Sequence, residues 1–385
     1  MENKQQILEP KAFEDYLDFW AKHMVFGSPK KIYPEISIDN TPNKSALMGS
    51  MYLSRILYGA SVGCKTLETT KFRTLAETSF ESLMEFKNPM GGYFWGRKYN
   101  MEWIHDPENV NMAQAFVLYG LVEYAGLNPS EELDQLIEEQ LEFILSVLTE
   151  DGGLSFLDGY DEHWQAGQHM TRSFGSHFHI MEAFVKFYEY RNDADIKKII
   201  AGLIRTIIDK FIDKEKYICI HRFGANWEDL PNEIWAGHNA ECSWILCEAS
   251  KAINDSGLIE ETHNLAILMM EGVITFGQDK NKGGYFNVLD SDPSIDKTKG
   301  WWQQAEVTLG LLNAYAITGQ KRYKKLALEQ VSYIQAKFLC PQGDWYEAVT
   351  NEGTPVEGVP KASFWKCIYH TGRFYDYLIR KVNVY

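Results

Sequence analysis

The chain has 385 residues, of which 45% are hydrophobic, and its formal net charge is −15. This size allows a large core, and an acidic chain without a basic stripe is not expected to bind nucleic acid. The first 20 residues lack the apolar core of a signal peptide, and no stretch approaches the ~20 apolar residues of a membrane helix. Six cysteines without CxxC spacing argue against a zinc ribbon or a disulfide framework, so a reduced, cytoplasmic protein is expected.

Two kinds of helical pattern alternate along the chain. In AQAFVLYGLVEYAG, residues 113–126, apolar side chains surround the predicted helix almost completely. In LDQLIEEQLEFILSVL, residues 133–148, they form one stripe opposite the acidic residues. A helix of the first kind is buried on most sides, and a helix of the second kind is buried on one side. The alternation predicts an inner and an outer layer of helices.

Short segments rich in glycine and aromatic residues recur between these helices. They lie at residues 91–96, 152–156, 283–288 and 343–349, with β-leaning segments at 30–36 and 216–223 in the remaining positions. The spacing corresponds to six units of about 60 residues, and a fixed long period indicates a repeat architecture. Each unit is expected to contain two antiparallel helices joined by a tight turn or a short hairpin.

The inner helices look equally apolar throughout, so the array shows no polar capping repeat of the kind that an open solenoid needs. We therefore predict an all-α fold, an (α/α)6 barrel of six helical hairpins with short β-hairpin loops at one end. No proline- or serine-rich linker divides the chain, so residues 1–385 are expected to form a single domain. Side chains at one end of the inner helices would then converge on a central pocket.

Histidines and glutamates interrupt several of these apolar helices. His179 and Glu182 are three residues apart, as are His238 and Glu241 in GHNAECSWIL, so each pair is expected to share a helix face. A buried glutamate is costly unless it is paired or hydrogen-bonded. A structural bridge is the ordinary role of such a pair, but its recurrence at comparable positions of the repeat favours a shared pocket.

Two further segments belong to the same set. Trp302 and Glu306 are four residues apart on an inner-type helix, and His370 follows Trp365 near the end of the chain. Imidazole and carboxylate can bind zinc, iron or manganese. The order His-x-x-Glu and the spread over several units differ from the dimetal sites of helical bundles, so no metal is expected. The other histidines are interpreted as structural or surface residues: His23, His105, His163, His169, His177, His221 and His263.

A pocket of histidines, glutamates and tryptophans suits chemistry on a sugar. An imidazole with a pKa of about 6.5 can accept or donate a proton at neutral pH. Two imidazoles on opposite sides of one carbon can invert it where a neighbouring carbonyl acidifies the C–H bond, as in an open-chain aldose. The developing enediolate needs a cation. Arg55, within the apolar segment 50–61, is the candidate, although a snorkelling surface role fits the composition equally well.

Several segments together resemble a known family. The most specific are WWQQAE at 301–306 and WKCIYHTGR at 365–373, and SRILYGAS, FHIMEAF and GHNAECSWIL add to the set. Between residues 44 and 373 the chain resembles the N-acylglucosamine 2-epimerase superfamily, and within it the cellobiose 2-epimerases. The resemblance implies an (α/α)6 barrel and a sugar epimerase that uses no cofactor.

The resemblance also implies roles for individual residues. His238 and His370 would be the acid/base pair at C2 of the sugar. The remaining site residues would hold the imidazoles and assist ring opening (His179, Glu241, Glu306) or bind the substrate (Arg55, Trp302, Trp365, Trp244). Two features depart from the family where it shapes the substrate pocket. Met112 stands where a tyrosine is usual, and residues 19–39 lack a Gly-Gly-Phe-Tyr-Gly-like turn.

We expect an aldose 2-epimerase that acts on a free reducing sugar, such as cellobiose or a related β-linked disaccharide, through a cis-enediolate. Three alternatives stay open: an aldose–ketose isomerase of mannose or a related sugar, a glycoside hydrolase with Glu241 and Glu306 across the scissile bond, and a sugar-binding protein without turnover. The expected partner is the sugar alone, without nucleic acid or membrane. The chain is expected to be a monomer or a homodimer.

Overall fold

The computed structural model describes residues 10–149, 151–289 and 297–381. In chain order, the helices of these ranges are α1 (Pro10–His23), α2 (Ser50–Thr66), α3 (Arg73–Met84), α4 (Val110–Ala125), α5 (Glu131–Val147), α6 (Phe174–Arg191), α7 (Ala194–Lys210), α8 (Ala236–Ala252), α9 (Ser256–Gly272), α10 (Trp301–Thr318), α11 (Lys321–Lys337) and α12 (Ile368–Arg380). A π-helical turn, Val273–Gly277, continues α9. None of these helices combines the length and apolar character that crossing a membrane requires.

The even-numbered helices form a closed inner ring. Each packs on the next, from α2 through α4, α6, α8 and α10 to α12, and α12 packs back on α2. The odd-numbered helices lie outside, and each packs on a member of the ring. Inner helices are buried on nearly all sides, as the continuous burial of residues 50–64 in α2 shows. The predicted (α/α)6 barrel and its two helical layers are confirmed.

Local sequence explains where several outer helices begin. The side chains of Ser130, Asp193 and Asp255 each accept a hydrogen bond from a backbone N–H in the first turn of α5, α7 and α9, respectively. Such N-caps satisfy donors that the helix itself leaves free. Only one turn or less separates most inner helices from the outer helix that follows, so each hairpin is tight at that end.

The strands occupy the longer connections from an outer helix to the next inner helix. They are β1 (Val25–Phe26), β2 (Lys31–Ile32), β3 (Met48–Gly49), β4 (Gly96–Arg97), β5 (Trp103–Ile104), β6 (Asp158–Tyr160), β7 (Ala166–Ser173), β8 (Arg222–Gly224), β9 (Lys299–Gly300) and β10 (Ala348–Val349). All pairings are antiparallel, in the orders β1-β2, β3-β4-β5, β6-β7-β8 and β10-β9. The strands therefore lie at the end of the barrel where the inner helices begin, as predicted.

A short hairpin also recurs after successive outer helices. Single antiparallel bridges pair Lys87 with Tyr93, Thr149 with Phe156, Ile212 with Cys219, Gln278 with Tyr285, and Leu339 with Trp345. These bridges coincide with the recurring segments of the sequence. The eight-residue strand β7 is longer than the short hairpin loops expected there. It pairs with β6 and β8, and its last residue, Ser173, caps the inner helix α6.

Glycines allow neighbouring inner helices to approach closely. A Cβ atom at Gly120 of α4 would lie 2.7 Å from the backbone oxygen of Ser54 in α2. A Cβ atom at Gly59 of α2 would lie 2.1 Å from the side chain of Ile368 in α12. The close contacts on both sides of α2 therefore depend on the absence of a side chain at these two positions.

We predict that Gly120→Ala destabilises the barrel. Alanine is the better helix former, but its Cβ would press on a backbone atom of α2, and overpacking of this kind costs about 1–3 kcal/mol. Gly272→Ala is the matched control, because nothing lies within 4 Å of the added carbon at the end of α9. Urea denaturation of both variants measures the difference. A Gly120→Ala variant as stable as the control would contradict the close approach of α2 and α4.

Candidate active site

The predicted site residues meet at the beginning of the inner helices. His238, Trp302 and His370 lie in the first turns of α8, α10 and α12. The second turns of the inner helices supply the next layer of the site, Arg55, His179, Glu241 and Glu306. Equivalent positions on the six helices lie at equal depth in the barrel, and side chains from distant parts of the sequence therefore form two layers around its axis.

His370 is held by a carboxylate. Its Nδ1 lies 2.7 Å from Oε1 of Glu306, and the other oxygen of Glu306 accepts a hydrogen bond of 3.0 Å from the indole N–H of Trp244. Because an ionised carboxylate only accepts, Nδ1 of His370 carries the hydrogen and Nε2 keeps its lone pair. Burial lowers the pKa of His370 well below its usual value, against the opposing attraction of Glu241. A neutral His370 is thus oriented as a proton acceptor.

A buried arginine, Arg373, links the carboxylates at the barrel axis. Its Nη2 donates to Glu306 over 2.6 Å and also to Glu241, and its Nη1 donates to Glu182 over 2.8 Å. Burial raises the pKa of both Glu241 and Glu306, and attraction to Arg373 opposes that change. Arg373 is not among the site residues predicted from the sequence. Arg373 lies three residues after His370, on the same face of the last inner helix, and this spacing is the feature of the sequence that could have identified it.

Part of this network has the composition of a metal site. Glu241, Glu306 and His370 each offer a ligand atom, and these atoms lie within 4.8 Å of one another. The guanidinium of Arg373, however, already donates to both carboxylates. The negative charge that a metal ion would neutralise is therefore balanced by a side chain of this protein.

His179 forms the pair that its spacing predicted. Its Nδ1 lies 2.7 Å from Oε2 of Glu182 on the same helix face. Glu182 also accepts from the hydroxyl of Tyr369 at 2.9 Å and from Arg373. The pair is therefore joined to the arginine network rather than isolated in the core.

His238 and Glu241 share a helix but have different hydrogen-bond partners. Nδ1 of His238 lies 3.1 Å from Nε2 of His221, and the two rings are nearly perpendicular, at 89°. His238 sits in the first turn of α8, within reach of the preceding loop, whereas Glu241 lies a turn deeper and meets Arg373. His221, interpreted from the sequence as a structural or surface residue, is thus in contact with a predicted site residue. Burial lowers the pKa of His238 well below its usual value and that of His221 to about 4.

Trp302 lies between the two candidate acid/base histidines. The centre of its ring is 4.9 Å from the His238 ring and 5.3 Å from the His370 ring. Trp365 stands at the rim, 45% exposed, with its ring 5.9 Å from that of Trp95. Both residues can therefore offer an aromatic face to a sugar.

Trp244 lies on the far side of the network from these rings. Its indole N–H binds Glu306, and its side chain borders a cavity of about 480 Å³ that also reaches Glu182 and Arg373. The other walls of this cavity include Lys65 and Lys251 from the carboxyl ends of inner helices. The structure therefore gives Trp244 a contact that orients Glu306, at a distance from the rim where a sugar would enter.

Arg55 is a buried cation without an acidic partner. It is 5% exposed, so the snorkelling surface role is wrong. Its guanidinium carbon lies 3.9 Å from the centre of the Phe116 ring and 5.2 Å from that of Tyr369. Its Nε has no hydrogen-bond partner, and no carboxylate of the described ranges forms an ion pair with it. A buried guanidinium in this state favours an anionic ligand.

Comparisons with known proteins bear on this site. A model of the family described as N-acylglucosamine 2-epimerase (GlcNAc 2-epimerase) matches residues 33–372. The chain is 27% identical to a cellobiose 2-epimerase of Dictyoglomus turgidum, with 90% of this chain and 91% of that protein covered. The structure of cellobiose 2-epimerase from Bacillus thermoamylovorans B4167 is similar with a TM-score of 0.85 at 23% identity, over 97% of this chain and 99% of the other. A D-mannose isomerase is similar with a TM-score of 0.86 at 16% identity, over 97% of each chain. At these identities, the two structural likenesses establish the shared fold.

We predict that Arg373→Gln lowers the free energy of unfolding by about 3–5 kcal/mol, the cost of leaving buried charges without their partner. Without the guanidinium, the carboxyl groups of Glu241 and Glu306 would have folded-state pKa values above their unfolded values. The folded state then binds more protons, so the loss should be smaller at pH ~5 than at pH ~7.5. Urea denaturation at both pH values measures it, with Arg373→Lys as the charge-retaining control. Equal stability of the two variants near neutral pH would rule out this charge balance.

Proposed function

The chain belongs to the N-acylglucosamine 2-epimerase family and is a carbohydrate epimerase, and we propose that it inverts C2 of a free reducing sugar without a cofactor. The observation that carries the proposal is that His238 and His370 both contact the ring of Trp302 in the first turns of their helices, with the buried Arg55 in the second turn of α2. A β-linked disaccharide such as cellobiose is the proposed substrate class, since curated relatives in this family carry the name cellobiose 2-epimerase.

The proposed reaction begins with opening of the sugar ring. The hemiacetal hydroxyl loses its proton and the ring oxygen gains one, with His179 and the nearby carboxylates assisting. One imidazole then removes the proton from C2, and the electron pair of the C–H bond enters a cis-enediolate. The intermediate turns about its C2–C3 bond, and the other imidazole, in its protonated form, returns a proton to the opposite face of C2. Exchange with water resets the two histidines.

The local charges suit a negatively charged intermediate. Arg55 is a buried cation with a free donor, and it can bind the oxygens on C1 and C2. Helices α8, α10 and α12 begin at the site without a side-chain N-cap. Their positive ends therefore add a favourable potential at the place where the enediolate forms.

The geometry disfavours the glycoside hydrolase alternative. Such an enzyme needs two carboxyl groups about 5–9.5 Å apart on opposite sides of a glycosidic bond. Glu241 and Glu306 both accept from the same nitrogen atom of Arg373, so no room for a sugar remains between them. Aldose–ketose isomerisation stays the second candidate, because it uses the same enediolate and differs only in returning the proton to C1. The barrel shared with a D-mannose isomerase supports either outcome equally.

Incubation with reducing sugars in deuterated water tests the proposal. Cellobiose, glucose, mannose and N-acetylglucosamine would each be supplied, and the products analysed by NMR and chromatography. An aldose epimer with deuterium at C2 is the expected product. A ketose would establish isomerisation instead, release of monosaccharides from cellobiose would establish hydrolysis, and bound sugar without C2 exchange would leave only a binding protein.

We predict that His238→Ala and His370→Ala each lower kcat by at least ~10²-fold, the lower end for general acid–base catalysis. The fold should survive, because both residues lie at the first turn of their helices. Circular dichroism and thermal denaturation serve as folding controls. Turnover near the wild-type rate in either variant would exclude that histidine as an acid or base.

The pH dependence should reflect two imidazoles with lowered pKa values. Proton abstraction requires a neutral histidine, and burial lowers the pKa of both His238 and His370. As the pH is lowered, the base becomes protonated and activity falls. This fall should therefore occur only below pH ~6.5, the usual pKa of histidine. The acid limb of kcat/KM against pH measures this. A limb centred above that value would contradict burial of the acting base.

A further inference from the structure

We propose that His221 is a positioning residue that fixes the tautomer of His238 and shares its positive charge when His238 accepts a proton from the substrate. The inference rests on the proposed function, because it assigns a partner to one of the two proposed acid/base histidines. The observation behind it is the hydrogen bond of 3.1 Å between Nδ1 of His238 and Nε2 of His221.

The backbone of His221 is fixed by its surroundings. Its carbonyl oxygen accepts a hydrogen bond of 2.8 Å from the backbone N–H of Phe174, the first residue of α6. Its own N–H donates to Oδ1 of Asn232 over 2.9 Å. The imidazole of His221 is therefore presented to His238 from a loop that is tied to two other parts of the chain. A Phe174 ring 5.8 Å from the His238 ring completes this wall.

The contact restricts where the hydrogens can lie. Of the two nitrogens that face each other, only one carries a hydrogen when both rings are neutral. When Nδ1 of His238 is the donor, the lone pair of its Nε2 is free to accept a proton. When His221 is the donor, Nε2 of His238 carries the hydrogen and cannot act as a base. The base-competent state therefore requires His221 as the acceptor.

Proton transfer follows from the same contact. The C2–H bond breaks, its electron pair remains on the enediolate, and the proton joins Nε2 of His238. The new imidazolium keeps its Nδ1–H bond to His221, and the positive charge is shared through this strengthened hydrogen bond. His370 has a carboxylate, Glu306, in the corresponding position. The two acid/base histidines are thus supported by different kinds of partner.

A spectroscopic test does not depend on any activity. ¹⁵N-histidine NMR of the full-length protein reports the protonation of each ring nitrogen. The spectra of His238→Ala and His221→Phe identify the signals of His238 and of His221, because each variant lacks one of the two imidazole rings. In the wild type, Nδ1 of His238 should show a protonated, hydrogen-bonded shift. In His221→Phe this shift should change. An unchanged His238 spectrum in that variant would overturn the proposal.

A kinetic test uses His221→Phe, which keeps a ring without nitrogens, and His221→Gln, whose amide oxygen can still accept from Nδ1. The phenylalanine variant should lose at least ~10-fold in kcat with KM changed by less than ~3-fold, and the glutamine variant should recover part of the loss. His163→Gln, an exposed histidine outside the site, is the control. Equal losses in the two His221 variants would show that the residue acts only by filling space, and would overturn the proposal.

Isotope exchange separates an effect on His238 from general damage. Each purified epimer would be followed for deuterium entry at C2. His221→Phe should slow the exchange of the epimer whose proton His238 removes more than the exchange of the other, which begins at His370. A uniform decrease would contradict the inference while leaving the proposed function intact. Absence of C2 exchange in the wild type would instead refute the proposed function, and the NMR result would still decide whether His221 orients His238.

Discussion

The candidate site depends on one buried cation, the guanidinium of Arg373. Three carboxylates, Glu182, Glu241 and Glu306, converge on it from three different inner helices. Each carboxylate would be costly to bury alone, so the arginine makes their presence at the barrel axis possible. It also fixes the orientation of Glu306, whose Oε1 accepts from Arg373 and faces Nδ1 of His370. Because Glu306 is held in this way, His370 meets an acceptor at Nδ1 and keeps its other nitrogen for chemistry.

The fold was largely predictable because burial leaves a direct mark on sequence. An inner helix such as α4 is in contact with protein on all sides, so nearly every position is apolar, whereas α5 shows one stripe. The spacing of the recurring turns indicated the length of each helical hairpin. The inner helices are equally apolar, which indicated that the hairpins close into a barrel. The long strand β7 was not predicted, because apolar and polar residues do not alternate over its exposed part, Ala166 to His169. Its pairing is set by the neighbouring strands β6 and β8.

The sequence indicated which residues gather in the candidate site, but much less which of them form hydrogen bonds with one another. Helical spacing correctly joined His179 to Glu182, since both lie on one helix. The same spacing holds for His238 and Glu241, but it does not identify their partners, which are a loop histidine and an arginine of α12, respectively. No pattern of neighbouring residues in the sequence identifies the hydrogen-bond partners of His221 or Arg373. Such contacts depend on how helices far apart in sequence are arranged around the barrel.

The partners make the two proposed acid/base histidines chemically unequal. Glu306 is an anion, and it stabilises the protonated form of His370 by direct attraction. His221 is a neutral imidazole with its own pKa lowered by burial, so it stabilises protonated His238 less strongly. Burial lowers the pKa of both imidazoles, so both are neutral at rest, and a proton accepted during the reaction is held more strongly by His370 than by His238. Because the proposed reaction needs one imidazole to accept a proton and the other to return one, the unequal partners make the two directions of the reaction inequivalent.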